Sequence, residues 1–323
     1  MMVKVSSPGQ IFLFGEHAVV YGQPALLASI DVRIDVEALL LDGSRFEVTS
    51  EGVGRMEGKV ERINGDWKIR DKTGDVEDLQ FVTRASEIVF NYLNRGEGIS
   101  LSIESDLPSG SGLGSSSAVT TATAAAVSTV LDGELDEEEI IQLAFDAEVD
   151  IQGAASRAGV SVATLGGFLK VQDKDFESLE KLSKLDILIG YTGKYANTGE
   201  LVKHVGNLKE SRPNIYGPMV RAIGKTTEIG IEALNEDNLR EVGVLMNVNQ
   251  NLLEGLGVSS PELHDLIEAA RDSGAIGAKI TGAGGGGCMI ALGSGNMNEI
   301  SNAIEESGGI PIKTEIGVEG LMY

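Results

Sequence analysis

Residues 108–118 read "PSGSGLGSSSA", a run of small residues and one leucine with no charge. A strand-like alternation, "ISLSIES", ends just before it. A small-residue, helix-like segment, "AVTTATAAAVSTVL", follows without a break. Strand, glycine turn and helix in immediate succession leave few folds open. Gly110, Gly112 and Gly114 let the backbone turn tightly and approach a ligand closely. Ser115, Ser116 and Ser117 then open the helix, where the first N–H groups lack intrahelical partners and carry the positive end of the dipole. Such a helix head suits an anion, phosphate above all. A slack linker would separate folded units, and this stretch lies inside one. The Gly-Lys-Ser/Thr ending of the Walker loop is absent, so backbone and hydroxyl groups would hold the phosphate. A serine here could also ligate Mg²⁺, which favours oxygen donors. The helix expected over 136–152 offers Glu148 or Asp150 as the accompanying carboxylate.

Around this element the pattern is mixed. The first third holds β-like runs: "VKVSS", "IFLF", "ALLASIDVRIDVEALLL" and "RFEVTS". "INGDWKI" offers an Asn-Gly hairpin turn. Apolar residues in "DVEDLQFVTRASEIVFNYL" recur at helical spacing. "DEEEIIQLAFDAEVDIQG" opens with acids, which favours a helix start. "VSVATLGGFLKV" reads as two strands joined at Gly-Gly. Beyond about residue 183 come a buried strand in "KLDILIGYTG" and long helices over 199–256, broken near Pro213 and "LNEDN". A Ser-capped helix in "SPELHDLIEAARDSG" and a strand–glycine loop–strand unit in "AIGAKITGAGGGGCMIALGSG" complete the chain. The expectation is an α+β protein of two domains, 1–183 and 184–323.

Charge narrows the partners. Lys and Arg number 26 against 49 Asp and Glu, a net charge of −23. That balance argues against nucleic acid and against an anionic membrane surface. Any phosphate must therefore be held by local geometry against the overall field. The one cysteine, Cys288, excludes an intrachain disulfide and sits in an apolar run that reads as core. No apolar stretch approaches the eighteen residues of a membrane span, and a cytoplasmic setting is expected.

The motif from Pro108 to Ala118 resembles the nucleotide-binding motif of the GHMP kinases. Two further segments agree in order: "SPGQIFLFGEHAVVYG" from Ser7 resembles the first family motif, and "KITGAGGGGCMIAL" from Lys279 the third. The "GEHAVVYG" form, and "LMNVNQNLLEGLGVSSPELHDLI" later in the chain, are similar to the mevalonate kinase branch. The resemblance covers nearly the whole chain. It implies an N-terminal domain like ribosomal protein S5, a ferredoxin-like C-terminal domain, and ATP with Mg²⁺ in the cleft between them. Pro108, Gly110, Ser111, Gly112, Leu113, Gly114 and Ser115 to Ser117 would hold ATP. Ser116 and Glu148 match the magnesium ligands. Glu16, His17 and Thr198, with Gly284 and Gly285, match the surroundings of the acceptor, mevalonate. His17 can donate to a substrate oxygen, and Glu16 can orient a neighbour. A homodimer is implied by resemblance only.

Two positions depart from the pattern. The family usually has lysine after "PG" in the first motif, and here that position is Gln10. The usual catalytic aspartate, seven residues before the Gly-Gly turn, falls at Gly159. A positioned general base commonly contributes about 10²–10⁴-fold in rate. Phosphoryl transfer nevertheless depends mostly on positioning and charge neutralisation, so transfer to the primary hydroxyl of mevalonate remains the expected activity. Arg157, two residues from the vacant position, is a candidate replacement cation, and Lys194 a weaker one. The alternatives are a related kinase acting on another small hydroxy acid, and a protein that binds nucleotide or mevalonate without transfer.

Overall fold

The computed structural model describes residues 2–108, 110–153, 156–173, 175–179, 182 and 185–323. The domain boundary expected at 183/184 lies outside the described residues. The architecture is α+β, with two sheets among the described residues. The larger sheet is built on β1 (Met2–Phe14) and β2 (Ala25–Leu41). These long strands pair antiparallel, with a register shift at Pro8/Gly9. The other edge of β2 carries β7 (Phe168–Gln172) beside its first half and β6 (Gly98–Ser105) beside its second. Beyond β6 follow β3 (Arg45–Ser50), β4 (Gly54–Ile63) and β5 (Asp66–Gly74), and beyond β7 lies β8 (Asp175–Ser178). The β4–β5 turn is the expected Asn-Gly one: Asn64 and Gly65 have φ 54° and 98°.

Among the described residues four helices cover this sheet: α1 (Gln80–Leu93), α2 (Ser115–Val130), α3 (Glu137–Gln152) and α4 (Arg157–Leu165). α2 is the central one and packs on α1, α3, α4, β1 and β2. Its Ala, Thr, Ser and Val side chains fit this crowding, and most are buried. α3 starts in a capping box: Asp136 accepts from Glu139 N, and the Glu139 side chain accepts from Asp136 N.

One element differs from the sequence reading. The first half of "VSVATLGGFLKV" is the helix α4, not a strand. Its alternating Val160 and Val162 favour β structure locally. Ser156 caps a helix instead, accepting from Ala158 N at 3.2 Å. The short side chains then bury the helix against α2 and α3. Tertiary burial outweighs a propensity scale that spans only about 1 kcal/mol.

The second sheet has the order β10–β11–β9–β12, all antiparallel. Its strands are β9 (Ile187–Tyr191), β10 (Gly277–Ile280), β11 (Cys288–Leu292) and β12 (Ile310–Lys313). The helices α5 (Thr198–Ser211), α6 (Pro213–Asn235), α7 (Leu239–Gly255), α8 (Pro261–Asp272) and α9 (Met297–Glu306) accompany it. Cys288 is fully buried on β11, and burial pushes its thiol far above the usual range.

Candidate active site

The head of α2 is bare. Gly114 occupies its cap position with φ 77°, and among the described residues no side chain caps the first turn. By contrast Asp136, Ser156, Asn197, Asn238 and Ser260 each cap their own helices with a side-chain oxygen. The leading N–H groups of α2 are therefore left for an outside acceptor. The Ser111 hydroxyl, fully buried beside them, has no hydrogen-bond partner among the described residues. Replacing Gly114 with Val would force a β-branched residue into positive φ and set its Cβ about 2.6 Å from Gln10 Cγ. Strain of about 1–3 kcal/mol should weaken nucleotide binding roughly tenfold or more. Calorimetry with a non-hydrolysable ATP analogue measures this, and unchanged affinity would remove the loop from the site.

Glu148 reaches this head from α3. It is 4% exposed, accepts from Ser117 Oγ at 2.9 Å, and is also hydrogen-bonded by the Ser116 hydroxyl. Burial pushes its carboxyl up to about 7, and the two hydroxyls only partly oppose that. A divalent cation would supply the missing positive charge. Hydroxyl, carboxylate and phosphate oxygens are the hard donors Mg²⁺ prefers, so Ser116 and Glu148 fit it. Among the described residues no three His, Cys, Asp or Glu side chains gather as a protein-only metal site. Asp150, the other carboxylate considered, faces away. It is bound by Arg84 at 2.7 Å and is half exposed.

The first motif ends in a strained turn. His17 has φ 58° and ψ −40°, and Ala18 N donates to Glu16 O at 2.6 Å. This is a γ-turn of the rarer, strained hand. The surroundings hold it from both sides. Glu16 is 1% exposed. Its carboxylate pairs with Lys279 of β10 and accepts from Asn249 Nδ2 of α7 at 2.9 Å. Burial pushes the Glu16 carboxyl up and the Lys279 ammonium down, and each is the main force resisting the other's neutralisation. His17 Nε2 lies 2.8 Å from Ala283 O. A carbonyl only accepts, so Nε2 carries the proton. Burial holds the ring's pKa below its ordinary value. The donation expected toward substrate is thus spent on the protein, and Nδ1 remains an acceptor.

The third motif explains its glycines by contact with protein. A Cβ on Gly287 would lie 2.6 Å from Ser111 O, and one on Gly282 2.9 Å from Gly112 O. The loop therefore lies directly against the phosphate loop. The segment before α5 joins them: Ala196 N donates to Gly110 O at 3.1 Å, and the Tyr195 ring covers Gly110. A cleft of about 480 Å³ opens here, lined by Tyr195, Asn197, Glu200, Leu201, His204, Gly257 and Gly285. Thr198 stands at the exposed start of α5 beside it, and Gly284 packs on Val258 O. Tyr195, His204, Asn249 and Lys279 were not singled out from the sequence. Glu200, Leu201 and His204 do share one face of α5 at i, i+1 and i+4, a signal that becomes usable only once the cleft is known.

Two proposed cations are engaged elsewhere. Arg157 pairs with Glu138 at 2.5 Å. Glu138 sits ten residues before Glu148 on α3, about 15 Å along the helix axis. Lys194 pairs with Glu262 at the surface.

A bare helix head with a buried carboxylate behind it, pressed by a glycine loop of the second sheet, has the chemistry to receive a phosphate group, and small-molecule kinases share that arrangement. The chain belongs to the GHMP kinase family. Residues 80–167 match the GHMP kinases N terminal domain and residues 231–309 the GHMP kinases C terminal domain. Within that family it is similar to mevalonate kinases. It is 41% identical to the mevalonate kinase of Pyrococcus abyssi, covering 99% of this chain and 97% of that protein. It is 31% identical to that of Methanothermobacter thermautotrophicus, over the full length of both. Among solved structures, the mevalonate kinase of Methanococcus jannaschii superposes with a TM-score of 0.81 at 26% identity, covering 98% of each chain. The L. major mevalonate kinase in complex with R-mevalonate gives 0.82 at 25%, covering 98% of this chain and 97% of that one.

Proposed function

We propose that the protein transfers the γ-phosphoryl group of ATP to the primary hydroxyl of mevalonate, with Mg²⁺ as the metal. The observation that carries this is the likeness to mevalonate kinases over 99% of the chain, which takes in the phosphate loop and the strained His17 turn. The bare N–H groups of α2 and the serine hydroxyls hold the triphosphate. Ser116 and Glu148 would hold Mg²⁺, which would supply positive charge against the phosphate oxygens. The cleft beside Gly285 and Tyr195 seats the acceptor, and Nδ1 of His17 takes a hydrogen bond from one of its hydroxyls. The glycine loop, packed on the phosphate loop, sets the distance between donor and acceptor. Positioning of this kind is the larger part of phosphoryl-transfer catalysis.

The experiment is a coupled ADP-release assay with mevalonate, with and without Mg²⁺, and phosphorus NMR of the product. Metal-dependent ADP release and a phosphate ester on the primary hydroxyl are expected. One observation favours a second reading, a protein that binds without transfer: no carboxylate occupies position 159. Calorimetric binding of mevalonate and nucleotide with no ADP over hours would select it.

A further inference from the structure

Two glycines clear the space in which one polar side chain lies. Gln10, on β1 just past its register shift, is tied to the phosphate loop, its N–H donating to Leu113 O at 2.9 Å. A Cβ on Gly114 would lie 2.8 Å from Gln10 Nε2, and one on Gly159 would lie 3.0 Å from the same nitrogen. The Gln10 amide therefore lies between the cap of α2 and the first turn of α4. The Gly159 position is not an empty gap either. A Cβ there would meet Ser117 Oγ at 2.2 Å, so the serine hydroxyl fills the volume a side chain would need. Gln10 is only 7% exposed, yet its Oε1 has no hydrogen-bond partner among the described residues. A buried orphan acceptor is destabilising unless a ligand donor satisfies it. The groups brought to the helix head by the reaction are phosphoryl oxygens, which only accept, and the acceptor alcohol, which donates.

We propose that the Gln10 side-chain amide is a catalytic group that serves both partners at once: Oε1 accepts from the attacking hydroxyl and Nε2 donates to a γ-phosphoryl oxygen. This rests on the kinase reading above. A lysine can only donate and an aspartate can only accept. One neutral amide does both, and here the positions of Gln10 and Gly159 adjoin. The hydroxyl oxygen forms the new bond to the γ-phosphorus as the bond from that phosphorus to the β,γ-bridging oxygen breaks. That electron pair leaves with ADP, and the hydroxyl proton passes to a γ-phosphoryl oxygen of the product. Gln10 aligns the hydroxyl without taking its proton.

The test compares the parent with Gln10→Met, which keeps length and loses both functions, and Gln10→Glu, which keeps the acceptor. ADP release with mevalonate gives kcat and KM, and a non-hydrolysable ATP analogue gives nucleotide affinity. Gln10→Met should lower kcat about 100-fold, as removal of a preorganised transition-state hydrogen bond does, with nucleotide affinity within about threefold. Gln10→Glu should recover part of the rate. The proposal is overturned if Gln10→Met keeps its kcat, if nucleotide affinity falls in parallel, or if Gln10→Glu is no better than Gln10→Met. A parent that releases no ADP with mevalonate removes the kinase reading and this proposal with it. That result is read on the parent alone and is distinct from the other three.

Discussion

Replacing Lys279 with Met should destabilise the protein by roughly 3–5 kcal/mol, the range for breaking a buried ion pair from one side. Lys279 and Glu16 are both fully shielded from solvent. With the ammonium gone, Glu16 keeps Asn249 as its one side-chain donor among the described residues, and an uncompensated carboxylate stays in the interior. The pair also bridges the two sheets, Glu16 following β1 and Lys279 lying on β10. Two further contacts run along the same seam: Phe12 N donates to Thr281 Oγ1 at 2.8 Å, and His17 Nε2 to Ala283 O. Loss of the pair should therefore loosen the γ-turn and raise the KM for mevalonate as well as lower Tm, by about 5–10 °C. Adding Glu16→Gln removes the stranded charge, so the double variant should regain much of the stability, as neutral replacements of buried pairs do. Thermal melts of the three proteins decide this. A single variant melting within a degree of the parent, or a double variant no better than the single, would show that the pair is not a structural bridge.

Much of the cradle could be read from the chain because its signals are local. Glycines at 110, 112 and 114 followed by serines encode a turn and a helix head within a few residues. The caps at Asp136 and Ser260 are equally local. The seam was hidden for the opposite reason. Lys279 stands in "GAKIT", where a lysine on a strand reads as a solvent-facing alternation. Its partner lies 263 positions away, and the two meet where the end of β1 hydrogen-bonds to Lys279 and Thr281. Glu16 was assigned by resemblance to the surroundings of the acceptor, and its counter-ion Lys279 could not be seen from the motif. Gly159 was legible as a departure, but not as a filled position. That needed the first turns of α2 and α4 in contact, where Ser117 Oγ takes the space. The α4 helix itself was missed because alternating valines mimic a strand when the surrounding helices are out of view.

Replacing Glu148 with Gln should move activity and stability in opposite directions. The oxygen and shape remain, but the charge that would balance the metal is lost. Losing metal-borne charge stabilisation of a few kcal/mol corresponds to about a 10²–10³-fold fall in kcat/KM. The stability effect follows from the raised carboxyl. Its ordinary value is 4.5 and the fold pushes it up to about 7 by burial. Without ligands, the folded protein thus holds a proton over this interval that the unfolded chain has released. The associated stability is fully present below about pH 4.5 and is lost as pH rises through 7. Above that, the buried charge costs roughly 3 kcal/mol, because each tenfold change in proton affinity is worth about 1.4 kcal/mol. Glutamine does not titrate, so the ligand-free variant should match the parent near pH 4.5 and be more stable than it at pH 8. Denaturant melts at the two pH values, beside Mg²⁺-dependent assays, test both halves. A carboxylate kept only for packing would show no activity loss, and one already neutralised by a protein cation would show no stability gain. The combination of a lost rate and a gained melting point marks a charge that the fold tolerates at a cost because the reaction needs it.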